Sequence, residues 1–217
     1  MNRWALATTT ICERDPAMAA AVATIGACTL SPRRHRGGSF AALARSIVYQ
    51  QLAGRAAAAI HARFVALYGG RPTPEAVLTT PDETLRGAGL SAAKGASIKD
   101  LAARVLDGRL RLGGLGRLAD QEVITRLSTV RGIGPWTAEM FLIFQLLRPD
   151  VWPVGDLGVR MGYARVHGLD APPTPPELSS LGERYRPHRT VAAWYCWRER
   201  ERAATTRASV SPPPATW

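Results

Sequence analysis

The sequence is poor in the residues that staple or anchor a chain. Three cysteines in 217 residues, Cys12, Cys28 and Cys196, stand at unrelated spacings, which excludes a disulfide framework or a cysteine metal site. No apolar run is long enough to span a bilayer. The opening MNRWALATTT lacks the apolar core of a secretion signal, so a cytoplasmic location is expected. No clear period-two alternation and no internal repeat occur, and the reading is all-α. Acidic residues are outnumbered, 17 against 28 basic ones, giving +11 and a pI near 10.7. That balance favours a polyanionic partner without distinguishing DNA, RNA or an anionic membrane. The basic residues are dispersed rather than gathered on one amphipathic helix, which speaks against a membrane-surface protein.

What is present is a helical pattern with 46% apolar residues, enough to bury a sizeable core in one domain or two small lobes. Asp15-Pro16 opens a capped helix ending near Gly26, and a basic link, Pro32 to Gly38, follows as a solvated loop or a phosphate contact. Ser39 is expected to cap a helix with Phe40, Leu43, Ala44, Ile47 and Val48 on one face, ending in Tyr49-Gln50-Gln51-Leu52. Further helices are expected from Arg55 to Tyr68, after Thr80-Pro81-Asp82-Glu83 with its capping-box spacing, after Ser91, and after Asp120. Beyond a proline-rich loop come a helix with Leu178, Leu181 and Tyr185, and a last one carrying Trp194, Tyr195 and Trp197. The Ala/Thr/Ser/Pro-rich end, 203–217, is expected to be disordered.

The most informative stretch is LSTVRGIGPWTAEMFLIFQLLRPDVWPVGDLGVR, from Leu127 to Arg160. One helix is predicted to end near Arg131 and a second to start at Pro135, with Gly132-Ile133-Gly134 as a turn too tight for side chains. Backbone N–H groups at the head of the second helix suit an anion such as a phosphate. Trp136 to Leu147 is apolar nearly all round and predicts a buried helix stopped by Arg148-Pro149. After the loop from Asp150 to Gly155, Asp156 heads another helix, where cap bonds and the helix dipole favour its charged form. An aspartate so placed is either a plain N-cap or a functional carboxylate.

The order hairpin, buried helix, loop, aspartate resembles the helix-hairpin-helix DNA glycosylase superfamily. GIGPWTAEMFLIF, with Pro187-His188-Arg189-Thr190-Val191-Ala192-Ala193-Trp194-Tyr195-Cys196-Trp197, is similar to its bacterial 3-methyladenine DNA glycosylase II branch. The resemblance runs from about Asp15 to about Arg202. It implies two helical lobes, one over about 39–148 and one from about 15–38 plus 156–202, with an active-site cleft between them and residues 1–14 as an N-terminal extension. It also implies a monomer in the nucleoid, acting on double-stranded DNA that contains alkylated bases.

The resemblance carries roles to individual residues. Asp156 would be the catalytic carboxylate, and Trp136, Met140 and Trp197 would form the base pocket, with Met140 standing where a relative has tyrosine. Taken alone, either tryptophan would more often be core than pocket. Gln50, Gln51 and Leu52 would enter the duplex beside the extruded base, while Gly132, Gly134 and Thr137 would touch its backbone. Carbonyls of Ser128, Val130 and Ile133 would hold a monovalent Na+ or K+, with no other cofactor required. The iron-sulfur cluster of some relatives needs four clustered cysteines, so none is expected. The hairpin position that carries lysine in strand-cutting relatives is Trp136, and the only lysines are Lys94 and Lys99. A Schiff base needs an amine, so a monofunctional enzyme is implied, releasing bases such as 3-methyladenine and 7-methylguanine and leaving an abasic site. The rivals are a glycosylase for another lesion and a non-catalytic DNA-binding module.

Overall fold

A computed structural model describes residues 3–31, 37–52 and 54–210, all of whose regular elements are helices. The chain forms two units, residues 32–147 and residues 1–31 with 148–217. No helix among the described residues is long and apolar enough to cross a membrane.

The unit of residues 32–147 contains α3 (Gly38–Tyr49), α4 (Gly54–Ala66), α5 (Pro74–Thr79), α6 (Asp82–Gly87), α7 (Ala92–Leu106), α8 (Asp120–Leu127) and α9 (Pro135–Phe144). Its core gathers the predicted stripe of α3 (Phe40, Leu43, Ala44, Ile47, Val48) with Phe64, Ile98, Leu101, Val123, Leu127 and Leu142. Side chains at i, i+3 and i+4 share a helix face, and burial of such faces drives association. Ser91 caps α7 as expected, accepting from Lys94 N at 3.3 Å.

Several predicted boundaries move. The basic link of residues 32–36 lies outside the described residues. Ser39 lies inside α3, whose cap is Gly37. The capping box proposed at Thr80 does not form. Pro81 is the cap residue of α6, and Thr80 Oγ1 donates instead to Ala76 O at 2.7 Å, closing off α5. A capping box does form at Thr174, whose backbone and hydroxyl both bond Glu177. Asp120 is the first residue of α8, after Ala119. That helix ends at Leu127, not near Arg131, because Val130 N folds back on Leu127 O (3.1 Å) in a tighter turn. Likewise α9 stops at Phe144, three residues before Leu147. Leu146 N reaches back to Phe141 O at 3.1 Å, and Leu147 turns left-handed (φ 52°) to bury its side chain.

The other unit holds α1 (Ala5–Arg14), α2 (Pro16–Ile25), α10 (Leu157–Val166), α11 (Pro175–Gly182) and α12 (Arg189–Val210). Residues 1–14 are therefore no mere extension: α1 buries Ala7 and Ile11, preceded by the buried Trp4, whose indole Nε1 donates to Leu30 O at 2.7 Å. Beyond Ala203, α12 continues to Val210. Ala203, Ala204 and Ala208 favour helix, and the prolines begin only at Pro212. Residues 211–217 lie outside the described residues. Close approach of α10 to α12 rests on Gly162, where a Cβ would stand 2.0 Å from Cys196 O, so no other residue fits that crossing.

Candidate active site and nucleic-acid contacts

The hairpin joins α8 to α9. Gly132 has φ 76°, and a Cβ there would lie 2.7 Å from Ser97 Oγ, so glycine is required by the fold itself. Gly134 differs from the expectation of a uniformly tight turn. Its φ of −96° suits any residue, and a Cβ would meet open space. It caps α9, with Pro135 at the first helical position. Asp100 of α7 braces the turn, accepting from Arg131 N and Arg104 Nε at 2.8 Å each. Burial would raise the Asp100 pKa, but these two donors outweigh it and hold it below the usual carboxylate range.

The segment after α3 is tied to the same turn. Gln50 Nε2 donates to Gly132 O (2.8 Å) and Thr137 Oγ1 (3.3 Å), and Lys94 Nζ donates to Val48 O and Gln50 O at 2.8 Å each. Of the three residues expected to enter a duplex, Gln50 is thus turned back onto its own hairpin. Gln51 and Leu52 are exposed, and Gln51 holds a left-handed φ of 55°, uncommon for a residue with a side chain.

Between α3 and α9 lies a cavity of about 590 Å³. Trp136, Met140 and Phe144, at i, i+4 and i+8, line it from α9, with Thr137 and both hairpin glycines at its border. This corrects the expectation that α9 is buried all round: one apolar face meets the core and the other meets the cavity, where Trp136 is 45% exposed. The facing wall was missed in the sequence. It is the second stripe of α3, Ala42, Arg45, Ser46 and Tyr49, with the Arg45 guanidinium 3.8 Å from the Tyr49 ring centre. The i, i+3, i+4, i+7 spacing was its available signal. Gln145, just past α9, also lines the cavity.

In the other unit, Asp156 is buried at the N-terminus of α10. Its Oδ1 accepts from Val159 N at 2.8 Å, the cap bond, and from Trp197 Nε1 of α12 at 3.0 Å. Trp197, expected to line a base pocket, is here the partner of the aspartate. Gly158 leaves room for that pairing, since a Cβ would stand 2.9 Å from Asp156 Oδ1 and 3.0 Å from Trp197 Cδ1. The preceding loop is anchored at its start. Arg189 grips Asp150 through Nε (2.8 Å) and Nη2 (2.9 Å), and Thr190 Oγ1 accepts from Val151 N (2.9 Å) while donating to Arg148 O (2.7 Å). The carboxylate is therefore held at a helix N-terminus with its direction set by two donors.

Residues 44–187 match the HhH-GPD superfamily of base excision DNA repair proteins. The chain is 40% identical over 168 residues to DNA-3-methyladenine glycosylase 1 of Schizosaccharomyces pombe, covering 76% of this chain and 74% of that protein. Among solved structures it is similar to the Schizosaccharomyces pombe 3-methyladenine DNA glycosylase in complex with abasic DNA. Identity is 36% with a TM-score of 0.77, over 88% of this chain and 95% of that one. It is also similar to the DNA-3-methyladenine glycosidase from Bacillus halodurans, at 34% identity and a TM-score of 0.80, over 92% and 91% of the two chains. With the matching region covering well over half of its length, around the hairpin and the aspartate just described, the chain belongs to the HhH-GPD superfamily of base excision DNA repair proteins.

Proposed function

We propose that this protein is a monofunctional DNA glycosylase of the 3-methyladenine glycosylase II type, releasing alkylated bases such as 3-methyladenine and 7-methylguanine from duplex DNA as a monomer. The observation that carries the reading is the carboxylate of Asp156, aimed by a cap bond and an indole N–H. A glycosylase takes the base out of the stack and must stabilise positive charge on the sugar as the N-glycosidic bond breaks. An ionised carboxylate does this and can orient the attacking water. A base methylated at N3 or N7 is cationic and leaves neutral, so the reaction needs little acid catalysis. The exposed Trp136 face suits such a cation, worth roughly 0.5–2 kcal/mol per good contact, and Met140 packs around it.

Duplex contact is assigned to the hairpin. Gly134 is a glycine that nothing in its own unit requires, and close approach of a DNA backbone to its N–H supplies a reason. Thr137 is buried and bonded to Gln50, so its role is to fix the hairpin rather than to reach the duplex. Gln51 and Leu52, both exposed, are the candidates to enter the stack. The same reading assigns a monovalent cation to the carbonyls of Ser128, Val130 and Ile133. Among the described residues the Ser128 hydroxyl there is buried without a hydrogen-bond partner, and Val130 O accepts from the Ile133 N–H at 3.0 Å.

Methylated duplex DNA incubated with the protein should release 3-methyladenine, identified by chromatography. Asp156→Asn should slow release by about 100- to 1,000-fold while still binding DNA. Wild-type rates in that variant would remove the catalytic assignment. Borohydride should trap no covalent adduct with abasic DNA, and a strong adduct would overturn the monofunctional reading.

A further inference from the structure

Gln145 is the first residue past α9, its backbone N–H bonded to Phe141 O at 2.9 Å, and its side chain lines the cavity between α3 and α9. Its Oε1 is buried and has no hydrogen-bond partner among the described residues. Two polar groups of the facing wall are used: Gln50 holds the hairpin, and the Ser46 hydroxyl donates to Ala42 O at 3.1 Å. A buried carbonyl oxygen left without a donor is costly, and native structures rarely keep one without a compensating partner. The terminal torsion of a glutamine is broad, so the amide can rotate to offer an acceptor and a donor side by side to a base in the cavity.

That pair of groups has a natural complement. A glutamine amide pairs bidentately with adenine, accepting from the N6 amino group and donating to N7. A 3-methylated adenine keeps both groups. A purine methylated at N7 has lost the acceptor, and 7-methylguanine presents O6 in place of the amino donor. We propose that Gln145 is a specificity-determining residue, whose amide reads the N6–N7 edge of an extruded 3-methyladenine and favours it over N7-methylated purines. This rests on the glycosylase reading above and adds the selectivity within it.

The test compares wild type, Gln145→Leu and Gln145→Met on duplex DNA carrying both lesions, with single-turnover release of each base measured separately. Losing the bidentate pair should slow 3-methyladenine release roughly 5- to 100-fold and change 7-methylguanine release by less than about 2-fold. The melting temperature should stay or rise, because an unpaired buried oxygen has been removed. If both bases slow together, or neither does, Gln145 does not read the base, while the glycosylase reading stands. If wild type releases neither base, both readings fail. Product inhibition of the wild type provides a check that needs no variant: free 3-methyladenine should compete more strongly than free 7-methylguanine, and equal competition would overturn the proposal.

Discussion

Asp15 and Asp156 occupy the same local position, each the N-cap of a helix in the same unit, yet they are built into different surroundings. Asp15 Oδ1 accepts from Ala17 N (3.0 Å) and Met18 N (3.1 Å). Its Oδ2 is bonded by the Tyr185 hydroxyl and lies 2.8 Å from His167 Nε2. His167 in turn stacks on Tyr163 with ring centres 3.9 Å apart and bonds Tyr163 O through Nδ1 at 2.9 Å. Both oxygens of Asp15 are thus committed to tying α2 to α10 and to the turn at Tyr185. Asp156 Oδ1 instead accepts the cap bond and the indole bond together, which fixes the direction of its carboxylate within the unit. The first arrangement suits a structural pin and the second an oriented reactive group. Gly132 and Gly134 make a similar contrast in the other unit, one demanded by its own neighbours and one not. The lesson is that identical local signals divide into architecture and chemistry according to what distant segments bring to them.

The contrast can be broken experimentally. The largest effect belongs to the two aspartates measured together. Asp156→Asn should lose activity and keep its melting temperature, whereas Asp15→Ala should cost about 3 kcal/mol or more of stability, since it strands the buried partners of a charge. Denaturant unfolding of both variants separates the roles, and a large stability loss in Asp156→Asn would erase the distinction.

Acid unfolding sharpens it. Burial would push the Asp15 carboxyl up, but Tyr185, His167 and the Met18 N–H outweigh burial and hold its pKa at about 2, against 3.8 for the free side chain. A lowered folded-state value means stability that is present above pH 3.8 and is lost as pH falls through about 2. The contribution is about 2 kcal/mol at neutral pH and should vanish from the stability-against-pH curve of Asp15→Asn.

Smaller effects follow at the hairpin and beside Asp156. Gly132→Ala should destabilise by about 1–3 kcal/mol, through its positive φ and the Ser97 contact. Gly134→Ala should leave stability within about 0.5 kcal/mol and weaken binding to damaged and undamaged duplex alike. Equal stability losses at the two glycines would dissolve the pair. Last, Trp197→Phe removes the indole N–H while keeping an aromatic side chain, and should slow base release about 10-fold without changing duplex affinity.

Much of the fold was legible because helix faces repeat locally. The buried stripe of α3, the cap at Ser91 and the start of α9 at Pro135 depend on residues within a few positions of one another. The errors fell where a competing nearby bond or a distant packing partner decided the outcome. Thr80 bonded backward to Ala76 instead of forward, and α1 became core through Leu30 and neighbours that its own sequence does not announce. At the candidate site, Asp156 and Trp136 stood out through their motif, while Gln145 and the Arg45–Tyr49 wall did not, because a cavity is defined by facing elements.

By itself, the sequence determined an all-helical chain with a basic charge, the hairpin and the aspartate at a helix head, since periodicity, composition and capping are properties of neighbouring residues. Only the tertiary structure decided that Asp15 is a pin, that Trp197 serves Asp156, and that Gln145 keeps a buried oxygen beside a cavity. Those outcomes depend on groups 41 to 170 positions apart meeting at hydrogen-bond distance, or on a donor failing to arrive, and chain-local patterns carry no record of either.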